Sequence, residues 1–243
     1  MKASIITIAY NAVATIQHTL DSVANQSFTD VEHIIIDGNS ADDTVKVCQS
    51  YPHISKIVSE EDNGIYDAFN KGIRLAKGDF VGFLNADDVF NDNNSLHEII
   101  NAFDDTTDCV FGNVIYMNRL GTTVRKWNGR PFKKGSFKKG RMPAHPTFYC
   151  RRDVYKKLGG YKDSFKIAGD FELMLRFLET NKLPSKFLDK VLVKMLCGGV
   201  SNKSLKSKIQ ILKEEFRAFK LNQISLNKFH YVFSKGRKIK EFF

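Results

Sequence analysis

Paired cysteines are missing from this 243-residue chain. Cys48, Cys109, Cys150 and Cys197 lie far apart and form no CxxC pair. That excludes a zinc ribbon and a disulfide framework, and it fits a reducing compartment. No stretch approaches the roughly 18 apolar residues that a membrane span needs. The apolar run in the opening MKASIITIAYN is too short for a secretory leader and reads as a first buried strand. Internal repeats and low-complexity tracts are absent. A GxGxxG turn is absent as well. Ala9-Tyr10-Asn11-Ala12 stands in its place, which argues against a dinucleotide oxidoreductase. Acids are scarce in the back half. Residues 119–157 hold 13 Lys or Arg against one acid, Asp153, and residues 203–243 hold 11 against three.

What is present is a normal globular composition, 42% hydrophobic, with a net charge of +10. The length fits one sizeable α/β domain, alone or with a helical appendage. Carboxylates collect in the first hundred residues and cations behind them. A basic surface suits phosphates, nucleic acid or an anionic membrane. Apolar runs at Ser4 to Ala9, Val31 to Ile36, Ile54 to Val58 and Phe80 to Leu84 read as strands. Helical spacing fills 15–25, 42–50 and 65–76 between them. Such alternation predicts a parallel, doubly wound sheet, which binds ligands at the carboxyl ends of its strands. Cys109 to Met117 and Thr122 to Trp127 read as a hairpin around Leu120-Gly121. Residues 128–145, basic and rich in Gly and Pro, read as a mobile loop. A strand at Pro146 to Cys150, helices over 151–158 and 170–181, and a last strand over 186–196 follow. Leu205, Ile209, Leu212, Phe216 and Phe219 then give an amphipathic helix.

Four sets of residues carry candidate chemistry. Asn85-Ala86-Asp87-Asp88 ends a buried strand, where carboxylates can hold a hard divalent cation or simply cap a turn. Asp37 ends another strand and can accept a hydrogen bond from a base or ribose. Asp62 follows the third strand and either faces a nucleotide or solvates an acidic turn. Asp170 stands where a helix begins, as an N-cap or as a general base. His145, between Pro143 and Pro146, is a candidate phosphate or acceptor contact.

In this order the pieces resemble the family 2 glycosyltransferases, whose nucleotide-sugar-binding fold is called GT-A. The resemblance spans about residues 3 to 200. Ser4-Ile5-Ile6-Thr7-Ile8-Ala9-Tyr10-Asn11 looks like the family's opening strand, and Asp37 matches its uracil-side aspartate. Asp62-Asn63-Gly64-Ile65-Tyr66-Asp67 and the stretch from Gly78 to Asp88 match the segments leading to the family's DxD motif. The resemblance implies nucleotide contacts from Thr7, Ala9, Tyr10, Asn11, Asp37, Asp62, Asn85, Ala86 and Asp87. It implies Mg or Mn on Asp87, with Asp88 supporting, and Asp170 as the base of an inverting transfer. Two departures stand out: Asn85 opens the DxD motif, and Gly169 replaces the usual acid before Asp170.

The implied fold is a Rossmann-like, mostly parallel sheet flanked by helices, with a C-terminal helical extension. The implied domains are a catalytic domain over 1–202, with a nucleotide half at 1–107 and an acceptor half at 108–202, and the extension over 203–243. Expected partners are a nucleoside-diphosphate sugar, a UDP-sugar first, and a free or lipid-linked saccharide acceptor. The sequence is especially similar to transferases of bacterial capsule, O-antigen and exopolysaccharide. It therefore implies a cytoplasmic enzyme whose basic tail can touch the inner membrane face, and it leaves a homodimer open. Nucleic acid is not expected. A basic nucleic-acid-binding protein would explain the cations but not the ordered acids. A sugar-nucleotide pyrophosphorylase should show a Gly-rich loop with Arg and Lys near the N-terminus, and none is found.

Overall fold

The computed structural model describes residues 1–118, 120–197 and 205–239. Its strands are β1 (Ala3–Ala9), β2 (Val31–Asp37), β3 (Ile54–Ser59), β4 (Phe80–Phe83), β5 (Asp88–Phe90), β6 (Cys109–Met117), β7 (Thr123–Trp127), β8 (Tyr149–Arg151) and β9 (Ser185–Leu196). Its helices are α1 (Ile16–Ala24), α2 (Thr44–Gln49), α3 (Ile65–Leu75), α4 (Ser95–Asn101), α5 (Arg152–Leu158), α6 (Gly169–Met174), α7 (Leu205–Leu221) and α8 (Lys228–Ile239). A π-helical segment, Leu175–Thr180, continues α6.

The strands form a single sheet in the order β3-β2-β1-β4-β8-β6-β9-β5, with β7 paired to β6. The first four are parallel, because a helix between each successive pair carries the chain back across the sheet. Ile5, Ile6, Ile34, Ile35, Ile36 and Val81 are almost wholly buried, as strands covered on both faces require. The back half is mixed. β8 runs antiparallel to β4 and β6, while β9 lies parallel to β6. Pro146, expected in a strand, lies instead in a 3-10 turn over His145–Thr147, and the strand begins at Tyr149. Proline supplies no N–H to a ladder, which explains the delay.

Segment 128–145 is a loop, but a pinned one. Its Phe137 is wholly buried, with its ring edge-on to Phe171 at 5.3 Å. The Gly135 N–H donates to both Glu179 oxygens, at 2.7 and 3.0 Å. The apolar stripe of α7 lies against the sheet-bearing body of the chain. Phe219 packs on Phe171 at 5.5 Å and on Tyr231 of α8 at 5.4 Å, and both Phe219 and Tyr231 are buried. The sequence landmarks at Gly198 to Ser201, the boundary at 202/203, Lys240 and the last three residues lie outside the described residues.

Candidate active site

Three parallel strands end side by side, and their last residues build one wall. The Gly38 N–H donates to the Ala9 carbonyl at 2.9 Å, and the Ala86 N–H to the Ile8 carbonyl at 3.3 Å. After β1 the chain turns through Asn11, whose φ of 47° is left-handed. Two bonds hold that turn: the Asn11 N–H donates to Ser40 Oγ at 2.8 Å, and Asn11 Oδ1 accepts from the Ala41 N–H at 2.9 Å. Tyr10 is 68% exposed and offers an aromatic face. A Cβ on Gly38 would lie 3.1 Å from Asp62 Oδ2 and 3.3 Å from the Tyr10 ring, so the wall is tight there. Lys71 fixes Asp62 with an ion pair of 2.8 Å.

This wall opens on a cleft of about 2330 Å³. Ala9, Tyr10, Asn11, Asp62, Asn85, Ala86 and Asp87 line it, and so do His145 and Asp170. Nine residues singled out in sequence therefore share one cavity. Thr7 and Asp37 stand behind the wall. Thr7 is buried, with its hydroxyl 2.9 Å from His33 Nε2. Asp37 is buried and accepts from the Ser40 N–H at 2.9 Å, from the Ser40 hydroxyl and from the Ser59 hydroxyl at 2.7 Å. Its carboxylate braces the loop behind Tyr10 and Gly38.

The second acidic group caps β4. The Asp88 N–H closes a turn onto the Asn85 carbonyl at 3.0 Å, and Thr19 clamps it by donating to the Asp88 carbonyl at 2.8 Å. Asp87 points into the cleft, open to its water yet crowded by its walls. That crowding raises its carboxyl above the ordinary range, while the charge of His145 works against the rise. Asp88 is 1% exposed, and burial followed by the charge of Asp87 holds it well above that range. Asn85 Oδ1 and Asp88 Oδ1 are buried with no hydrogen-bond partner among the described residues. Also among the described residues, no three His, Cys, Asp or Glu side chains form a ready-made cation cage. One or two carboxylates completed by substrate phosphates is how Mg is commonly held. The oxygen donors here fit that arrangement.

Across the cleft stands Asp170, on the first turn of α6. Its Oδ1 accepts from the Phe171 N–H at 2.8 Å, and its Oδ2 lies 3.7 Å from His145 Nδ1. Burial raises its carboxyl, and His145 opposes that. The charge of one imidazole thus acts on both acids. The departure at Gly169 has a steric cause. A Cβ there would sit 2.6 Å from ring atoms of Tyr66, whose hydroxyl accepts the Gly169 N–H at 2.7 Å. Glu172 is no rival base: it is 1% exposed and paired to Arg176 at 3.0 Å.

Glu214 is the site residue that sequence reading passes over. From α7 it accepts the N–H groups of Lys166, Ile167 and Ala168 at 3.0, 2.9 and 2.8 Å. Consecutive N–H groups around an anion make a tight nest, so the loop entering α6 is fastened two residues before Asp170. The only sequence signal was an acid pair, Glu214-Glu215, on an otherwise basic helix.

Known proteins resemble this chain in sequence and in fold. The "PGL/p-HBAD biosynthesis glycosyltransferase" of Mycobacterium tuberculosis is 29% identical over 207 residues, covering 82% of this chain and 78% of that one. Among solved structures, Staphylococcus aureus TarS 1–349 in complex with UDP superposes with a TM-score of 0.67 at 20% identity, covering 95% of this chain and 68% of that one. The mannosyltransferase PcManGT from Pyrobaculum calidifontis, in complex with GDP-Man and Mn2+, gives 0.65 at 17% identity over 91% and 67%. These structures share the GT-A fold with this chain. Residues 4–159, which include the parallel half, match the family model described as Glycosyl transferase family 2, and the chain belongs to that family of glycosyltransferases.

Proposed function

We propose that this glycosyltransferase inverts the anomeric centre as it moves a sugar from a nucleoside diphosphate, UDP first, to an acceptor hydroxyl of a bacterial surface polysaccharide. The observation that carries the reading is one cleft lined by both Asp87 and Asp170, with His145 lining it 3.7 Å from Asp170. Asp170 takes the proton of the acceptor hydroxyl. The acceptor oxygen bonds to the anomeric carbon from the face opposite the diphosphate. The carbon–oxygen bond to the diphosphate breaks, and its electron pair leaves with the nucleoside diphosphate. Positioning and proton removal do the work, with no covalent sugar–enzyme intermediate. Asp87, with Asp88 behind it, would hold Mg or Mn, which supplies charge neutralisation to the leaving diphosphate. Tyr10 and Asp62 face the nucleoside, and Thr7 and Asp37 act on it through the wall. In this scheme residues 1–107 serve the donor, 108–202 the acceptor, and 203–243 brace the base. A panel of UDP-, GDP- and dTDP-sugars, assayed for nucleoside diphosphate release, tests the donor assignment. Release from none of them contradicts it.

Two smaller effects follow. Asp37→Ala frees the Ser40 and Ser59 hydroxyls and loosens the wall. It should weaken UDP binding by about tenfold, the scale of losing one or two charge-assisted hydrogen bonds, with smaller change in saturated turnover. Calorimetry showing unchanged affinity would reduce Asp37 to a turn brace. Glu214→Gln weakens the nest below Asp170. Turnover should fall on the order of tenfold, as small misplacements of a reacting group do, with UDP affinity kept. Unaltered turnover would detach α7 from catalysis.

The tail also has a surface role in this scheme. Among the described residues no helix is long and apolar enough to cross a membrane. Yet α8 exposes Phe229 at 91% and Phe233 at 64%, while Tyr231 anchors the helix in the core. With the basic residues around them, these rings suit an anionic interface. Removing α8 would strip Tyr231 from the buried Phe219, so Phe229→Ser/Phe233→Ser is the cleaner test. The full chain should sediment with phosphatidylglycerol vesicles at low salt and the double variant much less. Equal sedimentation would end the membrane role.

A further inference from the structure

Beyond Asp170 the cleft runs between segment 128–143 and the helices α7 and α8. Arg130, Lys133, Lys134, Lys139, Arg141 and Lys208 line this part, and all six are exposed. Among the described residues none of the six has an ion-pair partner. Glu215, the acid on this wall, is already held by Lys235 at 2.6 Å. Gathered like charges repel one another, and an anion that enters among them relieves the repulsion.

The cations are also pre-arranged. Phe137 ties the segment to Phe171, the neighbour of Asp170 in sequence. Gly140 turns with a φ of 65°, so close to α8 that a Cβ would lie 2.8 Å from Lys235 Cγ. The basic wall is therefore fixed relative to the base. It is carried by other segments of the cleft than the strand ends and Asp87, to which the proposed function assigns the donor's diphosphate. Phe132, Met142 and Val232 add apolar surface between the charges.

We propose that this wall binds a phosphate group carried by the acceptor, so that the acceptor's hydroxyl meets Asp170 while its phosphate lies among Arg130, Lys133, Lys134, Lys139, Arg141 and Lys208. The proposal rests on the glycosyltransferase reading of the cleft and names its acceptor class. A lipid diphosphate and a phosphodiester polymer share this chemistry, and separate arms distinguish them.

The test uses the full chain saturated with UDP and Mg, which fills the donor's phosphate site. Farnesyl diphosphate and poly(glycerol phosphate) are titrated separately by calorimetry. At least one should bind, and raising NaCl from about 50 to 300 mM should weaken that binding, because exposed ion pairs are screened. Arg130→Ala/Lys133→Ala/Arg141→Ala should weaken it by about tenfold, the scale of three exposed ion pairs, while UDP affinity is kept. Binding of farnesyl diphosphate alone assigns a lipid headgroup, and binding of the polymer alone assigns a phosphodiester chain. Binding of neither overturns the proposal, as does equal affinity in the triple variant. If the wild-type chain fails to bind UDP, the donor reading falls first, and that outcome is visible before either probe is added.

Discussion

Asp170→Asn is expected to lower turnover by a factor of about 10² to 10⁴, the range for removing a general base, with UDP affinity close to that of the wild type. The substitution keeps the shape of the side chain. Its amide oxygen can still accept the Phe171 N–H, so the first turn of α6 is retained. What disappears is a site for the acceptor's proton. Neither nearby glutamate can take over, because Glu172 is buried against Arg176 and Glu214 is enclosed by three backbone N–H groups. The pH profile carries a second signature. Asp170 works ionised, and burial raises its carboxyl above the ordinary aspartate value. The acid limb of kcat/KM should therefore lie above that value. His145 opposes the rise. In His145→Ala the carboxyl should rise further, and the acid limb should move to higher pH. Stopped assays of UDP release across pH check both variants. Wild-type turnover in Asp170→Asn would move the base elsewhere.

Asp87→Ala should nearly abolish transfer and donor hydrolysis. Asp87 is the carboxylate of the β4 turn that reaches the cleft, and Asp88 behind it is sealed from solvent. Without Asp87, no carboxylate of the β4 turn reaches the cleft to anchor a cation against a diphosphate. Loss of one preorganised electrostatic contact typically costs about 10²–10³ in turnover, and loss of the cation with it should exceed that. The wild-type enzyme should fall silent in excess chelator and recover with Mg or Mn. Full activity in chelator would contradict the cation role, and substantial activity in Asp87→Ala would move it off this turn.

The parallel half was legible because its signals are local. Ile5, Ile34 and Val81 sit in apolar runs that end in the polar residues of the wall, and α/β sheets place ligands at such ends. β5 and α4 escaped notice. Asp88–Phe90 is too short to show a period, and its partner is the distant β9. Which strand-end residues reach the cleft was not legible either. Asp37 looks as available as Asp62 until Ser40 and Ser59 are seen to enclose it. The missing acid at Gly169 is explained by Tyr66, about a hundred residues upstream, and no spacing rule links those positions. The tail was ambiguous for a similar reason. An apolar stripe reads the same whether it meets lipid or protein, and only the packing of Phe219 on Phe171 decides for α7.

Inversion by a single displacement can be read without knowing the acceptor. The enzyme is mixed with an α-linked UDP-sugar that it hydrolyses slowly, and the released sugar is followed by proton NMR before mutarotation. With water in the acceptor's place and Asp170 as base, the β-anomer should appear first, and Asp170→Asn should release it far more slowly. Initial release of the α-anomer would mean retention of configuration and would contradict the assignment of Asp170 as the base of an in-line transfer.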